Sequence, residues 1–231
     1  MKLLVKTLKS WWFPWIAIGI IIRLAIAAIT VHPDLWALNF SGYLLAFKGV
    51  PNIYDYLASL SPAHEWSKLY GPAVFSYPPL AYFLLGGLMF LLRPFINFSF
   101  LEWFTNHSLV DSLNNPAIFH HLFLLKLPYL FFDLGVAFLL LKFFGQAKQK
   151  KLALLLWLFN PLALYTSFMV GQFDIIPVFF VILGLYMASL SKKHWAVVFL
   201  GVGGSLKLFP LLFLPLFVLI LGKNGREKLK L

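Results

Sequence analysis

The chain has 231 residues, 61% of them hydrophobic and only 12% charged, with a mean hydropathy of +0.85. A soluble domain carries about 25% charged residues, and a water-soluble fold of this length could not bury so much apolar surface, which leaves a polytopic membrane protein. The excess of 19 Lys and Arg over 8 Asp and Glu gives a formal charge of +11, but the cations sit in short clusters between apolar runs, as cytoplasmic loops facing anionic lipid do, and not along a nucleic-acid-binding face.

Those clusters are Lys2/Lys6/Lys9, Lys148/Lys150/Lys151, Lys192/Lys193 and Lys223–Lys230. The absence of cysteine removes disulfides and thiolate metal sites. At the amino terminus three lysines precede the apolar run Trp11–Val31. That run exceeds the roughly 7–15 residues of a signal-peptide core, so it reads as a retained first span with the amino terminus inside.

A span needs about 20 apolar residues, and the sequence predicts spans at about 12–31, 74–92, 119–144, 152–170 and 175–190, followed by a long run over 195–221. The last is interrupted by "GVGGSLKLFP", where Gly201, Gly203, Gly204, Lys207 and Pro210 predict two half-helices around a bend. The expected fold is an all-α transmembrane bundle of six or seven spans forming one domain over 1–231. Residues 32–73, rich in Trp and Tyr, form a long extracytoplasmic first loop with interfacial helices, and 94–118 form a second polar loop. Charge bias puts the first loop and "GQFD" (171–174) outside. Simple alternation then puts 94–118 inside and the Lys148–Lys151 cluster outside. A shallow or re-entrant excursion over Tyr77–Leu101 removes that conflict.

Ionisable groups near membrane segments cost about 2.5–3.5 kcal/mol each on insertion scales and need a reason. Asp34, in "AITVHPDLWALNF", is either an N-cap for the helix that follows or a carboxylate held at the surface for chemistry. Asp174, with Gln172 in "MVGQFDIIPV", is either turn punctuation or part of a site. Lys207 either snorkels or points a cation into a cavity that binds phosphate. Tyr77, in "FSYPPLAYF", is an interfacial anchor ahead of a proline-started helix. Asp133 lies seven residues after Lys126, on the same helix face without direct contact, and reads as pairing with another span. Arg23 is either a packing cation or a phosphate contact. His120 and His121 point to different helix faces, no zinc spacing occurs, and no P-loop or dinucleotide fingerprint is present.

The order of these pieces resembles the GT-C superfamily of integral membrane glycosyltransferases. An Asp follows span 1, then come "GYLLAFKGVPNIYDYL", "YPPL" opening span 2, "KLPYLFFDLGVAFLLL", "LFNPLALYTSFMVGQFDIIPVFFVILGLY" and "GSLKLFPLLFLP", together covering roughly residues 15–220. The likeness is nearest to the GPI mannosyltransferase I type and the dolichyl-phosphate-glucose-dependent transferases. It implies transfer of a hexose from a polyprenyl-phosphate-linked sugar to a glycan or lipid acceptor on the extracytoplasmic side. Localisation would be the plasma membrane in a prokaryote or the endoplasmic reticulum in a eukaryote.

In that reading Asp34 matches the superfamily's catalytic carboxylate and takes the acceptor's proton. Lys207, His32 or Arg23 stabilises the leaving phosphate, and Tyr77, Gln172 and Asp174 bind substrate. The GPI mannosyltransferases carry Asp-x-Asp where this chain has His32-Pro33-Asp34, so a Mg or Mn ion is compatible with the resemblance but has no assigned ligands. Superfamily members run on to further spans, which the resemblance reads as a truncated member here. A transporter or lipid flippase is the competing expectation, since it too uses broken helices and intramembrane charges.

Overall fold

The computed structural model describes residues 10–71 and 73–222. The basic clusters Lys2/Lys6/Lys9 and Lys223–Lys230, and the placement of the amino terminus read from the first of them, lie outside the described residues. Among the described residues the chain is helical throughout, with no strand.

Local sequence sets the helix ends. Pro14 occupies the first turn of α1 (Phe13–Ile29), which stops at Thr30 as the backbone turns extended (φ −113°, ψ 138°). After the break, α2 (Pro33–Ala46) runs at 82° to α1. Asn52 caps α3 (Ile53–Ser59) through its side-chain carbonyl, and His64 caps α4 (Glu65–Tyr70). The extended Pro78 delays α5 (Pro79–Leu92). Asn97 and Ser108 cap α6 (Phe98–Asn106) and α7 (Leu109–Ser112). The long α8 (Ala117–Phe143) carries Pro128 in its interior. α9 (Ala147–Leu158) continues through Pro161–Ala163 into a π-helical turn, Leu164–Val170. α10 (Ile175–Ser189) and α11 (Lys193–Leu206) follow, and a 3₁₀ turn at Phe209–Phe213 leads into α12 (Leu214–Leu221).

Two stretches, Ala117–Phe143 and Ala147–Val170, are long and apolar enough to cross a membrane, and the bent pair α1–α2 makes a third if counted as one span. The sequence predicts six or seven. Much of the difference is proline at the start of α5 and an extended backbone at Lys207. α5 has 14 residues, about 21 Å of helix against a hydrocarbon core of about 30 Å. The last apolar run is cut at Lys207, whose extended backbone (φ −154°, ψ 145°) ends α11.

The two polar loops pack on one another. Trp36 Nε1 donates to the Phe104 carbonyl at 3.2 Å, Tyr70 Oη to Thr105 O at 2.8 Å, and Trp66 Nε1 to Asn106 Oδ1 at 2.8 Å. Tyr70 stacks on Trp36 (4.1 Å between ring centres) and on Phe40 (4.0 Å), and burial pushes its phenol well above the usual range, keeping it a neutral donor. The described parts of 32–73 and 94–118 are therefore in direct contact with one another. On α5 a Cβ at Gly86 would overlap the Leu45 side chain, so glycine there lets α2 and α5 approach closely. The main core gathers Phe40, Leu44, Tyr82, Tyr129, Phe168, Phe173 and Ile176.

Deep in the bundle Arg23 and Asp133 are fully buried, with Nε 2.6 Å from Oδ2. The guanidinium also donates to Leu158 O at 2.8 Å and Gly19 O at 3.1 Å, and Trp157 Nε1 donates to Asp133 O at 3.2 Å. The pair locks α1, α8 and α9 together. Removing one member leaves a buried charge unpaired, so Arg23→Met or Asp133→Leu alone should each cost about 3–5 kcal/mol, while the double substitution recovers much of that loss. Thermal unfolding of the purified protein in detergent measures this, and equal stability of single and double variants would contradict it.

Candidate functional site

Three segments far apart in sequence meet where α1 gives way to α2. The first is His32-Pro33-Asp34. His32, not Asp34, is the N-cap of α2: its Nδ1 accepts from Asp34 N at 3.2 Å. Asp34 sits one position inside the first turn, where its negative charge suits the positive end of the helix, and its carboxylate is free to look outward. Oδ2 accepts a 2.7 Å hydrogen bond from Gln172 Nε2, and Oδ1 lies 3.6 Å from His32 Nδ1, with both side chains a little under half exposed.

The second segment, Gly171–Asp174, closes the π-helical turn. Gly171 is left-handed (φ 81°, ψ 22°), which reverses the chain within one residue and presents Gln172 to Asp34. Asp174 stands at the N-cap position of α10 yet makes no side-chain cap bond; its carboxylate pairs with Lys207 instead. That ammonium, on the third segment at the break after α11, also lies 5.2 Å from the centre of the Tyr77 ring and 5.5 Å from that of Phe173, within cation–π range.

Tyr77 links the two pairs. Its hydroxyl donates to Gln172 Oε1 at 3.2 Å, its ring meets Phe173 edge-on at 5.0 Å, and its carbonyl accepts from Tyr54 Oη. The result is a continuous array: His32, Asp34, Gln172, Tyr77, then Lys207 and Asp174. Asp174 also lines a groove of about 190 Å³ with Trp157, Asn160, Leu162 and Thr166.

The structure does not bring Arg23 to this array; it is consumed by Asp133 and two backbone carbonyls inside the bundle. Sequence reasoning missed Phe173 as a wall of the site, and missed what lies beneath it. The buried Lys126 ammonium donates to Thr30 O (2.6 Å), Thr30 Oγ1 (3.0 Å), Phe168 O (2.9 Å) and Met169 O (3.3 Å), and Tyr129 Oη donates to Gly171 O at 3.1 Å. A lysine in the middle of a long apolar helix was the available signal. Among the described residues no group of three or more His, Asp or Glu is placed to hold a metal ion.

Chemically the array offers a carboxylate, an amide and a phenol in hydrogen-bonding sequence, two aromatic faces, and a cation whose carboxylate partner is part-exposed. It suits a ligand with several hydroxyls and an anionic group.

Residues 17–230 match the family described as GPI transamidase subunit PIG-U. No curated protein and no solved structure matches the chain. The family match overturns the expected reaction, because a GPI transamidase attaches proteins to GPI anchors and does not draw sugar from a polyprenyl-phosphate donor. The glycosyltransferase expectation falls with it, including Asp34 as the catalytic base of sugar transfer, and the match lends no support to the polyprenyl-phosphate-linked sugar or to a sugar-accepting glycan or lipid as partners. The match displaces the transporter or flippase alternative as well. The likeness to GT-C proteins holds at the level of a related multi-span family, without support for the GPI mannosyltransferase I type.

The left-handed Gly171 makes the site testable apart from any ligand. A Cβ there would meet the Leu35 side chain at 2.9–3.0 Å with φ at 81°, so Gly171→Ala should cost about 1–3 kcal/mol. Gly87→Ala in α5, where an added Cβ meets nothing within 4 Å, should be neutral or gain up to about 1 kcal/mol. Melting temperatures of the two variants compared with the parent chain check the contrast.

Proposed function

The chain belongs to the PIG-U family of GPI transamidase subunits, and on that premise we propose that it is a membrane subunit of such a complex whose extracytoplasmic array binds the glycan and phosphate head group of the GPI glycolipid. The observation that carries this reading is the hydrogen-bonded run Asp34–Gln172–Tyr77 beside the Lys207–Asp174 pair.

Each part fits one feature of that head group. Sugar hydroxyls both donate and accept, and the Asp34 carboxylate with the Gln172 amide offers both functions side by side. The Tyr77 and Phe173 rings give apolar surfaces beside them. Lys207 is a compact point charge on a flexible stem, suited to a phosphate that takes the place of the Asp174 carboxylate. His32, whose Nδ1 is used by Asp34 N, keeps its other ring nitrogen for the ligand.

In this reading the short apolar helices Pro79–Phe95, Ile175–Ser189 and Phe209–Leu221 complete a bundle of six or seven membrane segments. The array then opens at the extracytoplasmic surface of the endoplasmic reticulum membrane. The partners are the glycolipid, surrounding membrane lipid and the other subunits of the complex. The chain's contribution is to hold and orient the lipid acceptor while the protein substrate is joined to it.

The test is binding of a synthetic glycosylphosphatidylinositol to the chain in lipid nanodiscs, with phosphatidylinositol lacking the glycan as comparison. Asp34→Ala and Gln172→Leu should each weaken glycolipid binding about tenfold, the worth of one hydrogen bond to a charged group, and leave the glycan-free lipid unaffected. Lys207→Met should weaken both. Unchanged binding in all three variants would overturn the proposal.

A further inference from the structure

Lys126 is a fully buried lysine that, among the described residues, contacts no ligand-facing atom of the array and pairs with no carboxylate. Its three N–H groups all go to the region where two helical segments stop. α1 ends at Thr30, and the π-helical turn ends at Val170. Both segments leave carbonyls without intrahelical partners, and both present the negative end of a helix dipole. The Lys126 ammonium takes Thr30 O and Thr30 Oγ1 from the first, and Phe168 O and Met169 O from the second. The single Thr30 Oγ1 proton lies within reach of Ile26 O (2.7 Å) in its own helix and of Phe168 O (2.9 Å) across the knot.

The residues that follow those two ends are the ones that form the array. His32 and Asp34 follow within four residues of Thr30, and Gly171 and Gln172 come directly after Val170. The 2.7 Å contact between Gln172 and Asp34 thus spans two chain segments that are tied together immediately beneath it. Tyr129, three residues along α8 from Lys126, adds a bond to Gly171 O at 3.1 Å.

We propose that Lys126 is the positioning residue of the site: its ammonium, set between the ends of α1 and the π-helical turn, fixes the separation of Asp34 and Gln172 and so pre-forms the array before any ligand arrives. The identity of the ligand rests on the head-group reading above, but the positioning does not, and the two can fail separately.

The chain has no cysteine, so an introduced pair reports this geometry without background. Asp34→Cys with Gln172→Cys is reacted in nanodiscs with a short bifunctional thiosulfonate, and the crosslinking rate is compared with and without Lys126→Met. The rate should fall about tenfold, since several bonds to a charged donor are lost at once. Asp133→Leu, which destabilises the bundle away from the site, should lower the melting temperature and leave the crosslinking rate near its parent value; a general loss of packing would slow both. If Lys126→Met does not insert, Lys126→Gln, a shorter neutral donor, carries the same expectation. An unchanged crosslinking rate in the folded Lys126 variant overturns the proposal. Slowed crosslinking in a chain whose parent binds no glycolipid upholds the positioning and rejects the head-group reading. Where the parent does bind, Lys126→Met should lose about the same tenfold affinity, and adding Asp34→Ala should cost less than its tenfold effect in the parent, because a displaced Asp34 contributes less to the ligand.

Discussion

Carbonyls that end a helix inside a membrane have no water to turn to, and this chain ends two helical segments at one depth in its interior. The Lys126 ammonium meets that need from one side chain, donating to the carbonyls at the ends of α1 and of the π-helical turn together. What lies above follows from this knot. α2 leaves at 82° to α1, Gly171 reverses the chain, and Asp34 and Gln172 come within hydrogen-bond distance across 138 residues of sequence. A second buried cation, Arg23, does the corresponding work lower in the bundle, where Asp133 and the Leu158 carbonyl hold α1 against α8 and α9.

The same economy explains why two acidic residues that stand at helix starts do not behave as caps. His32 takes the capping bond of α2, and Asp174 leaves its own helix uncapped by its side chain. Each carboxylate is turned instead to a partner on another segment, Gln172 in one case and Lys207 in the other. Polar side chains diverted from local structure to a shared surface cost stability that packing elsewhere supplies, a pattern expected of binding sites. The aromatic loop, with Tyr70 stacked between Trp36 and Phe40, braces the outer side of α2.

Much of this was legible in the residues. Hydropathy gave the helical membrane class, the glycine-rich break gave the end of α11 near Lys207, and the few polar groups bordering apolar runs singled out Asp34, Tyr77, Gln172, Asp174 and Lys207, which do meet. Arg23 was the exception, because a cation on an apolar helix looks the same whether it faces a site or a buried carboxylate 110 positions away. Only two or three of the expected spans have full length for a related reason: hydropathy does not register where Pro78, Lys207 and Pro210 interrupt the apolar runs. The role of Lys126 was hidden because its partners are backbone carbonyls, which every residue has. The reaction was misread because a shared order of motifs reports common architecture, while function lies in the site grafted on it.

The most direct measurement is photo-affinity labelling of the chain in nanodiscs with a glycosylphosphatidylinositol that carries a diazirine on its glycan, mapped by mass spectrometry of the peptides. Labels confined to residues around Asp34, Tyr77, Gln172 and Lys207, and competed by unlabelled glycolipid, are the expected result. Labels spread along lipid-facing positions such as Phe90, Leu91 and Phe131, with none in those four segments, would contradict a head-group site at this array.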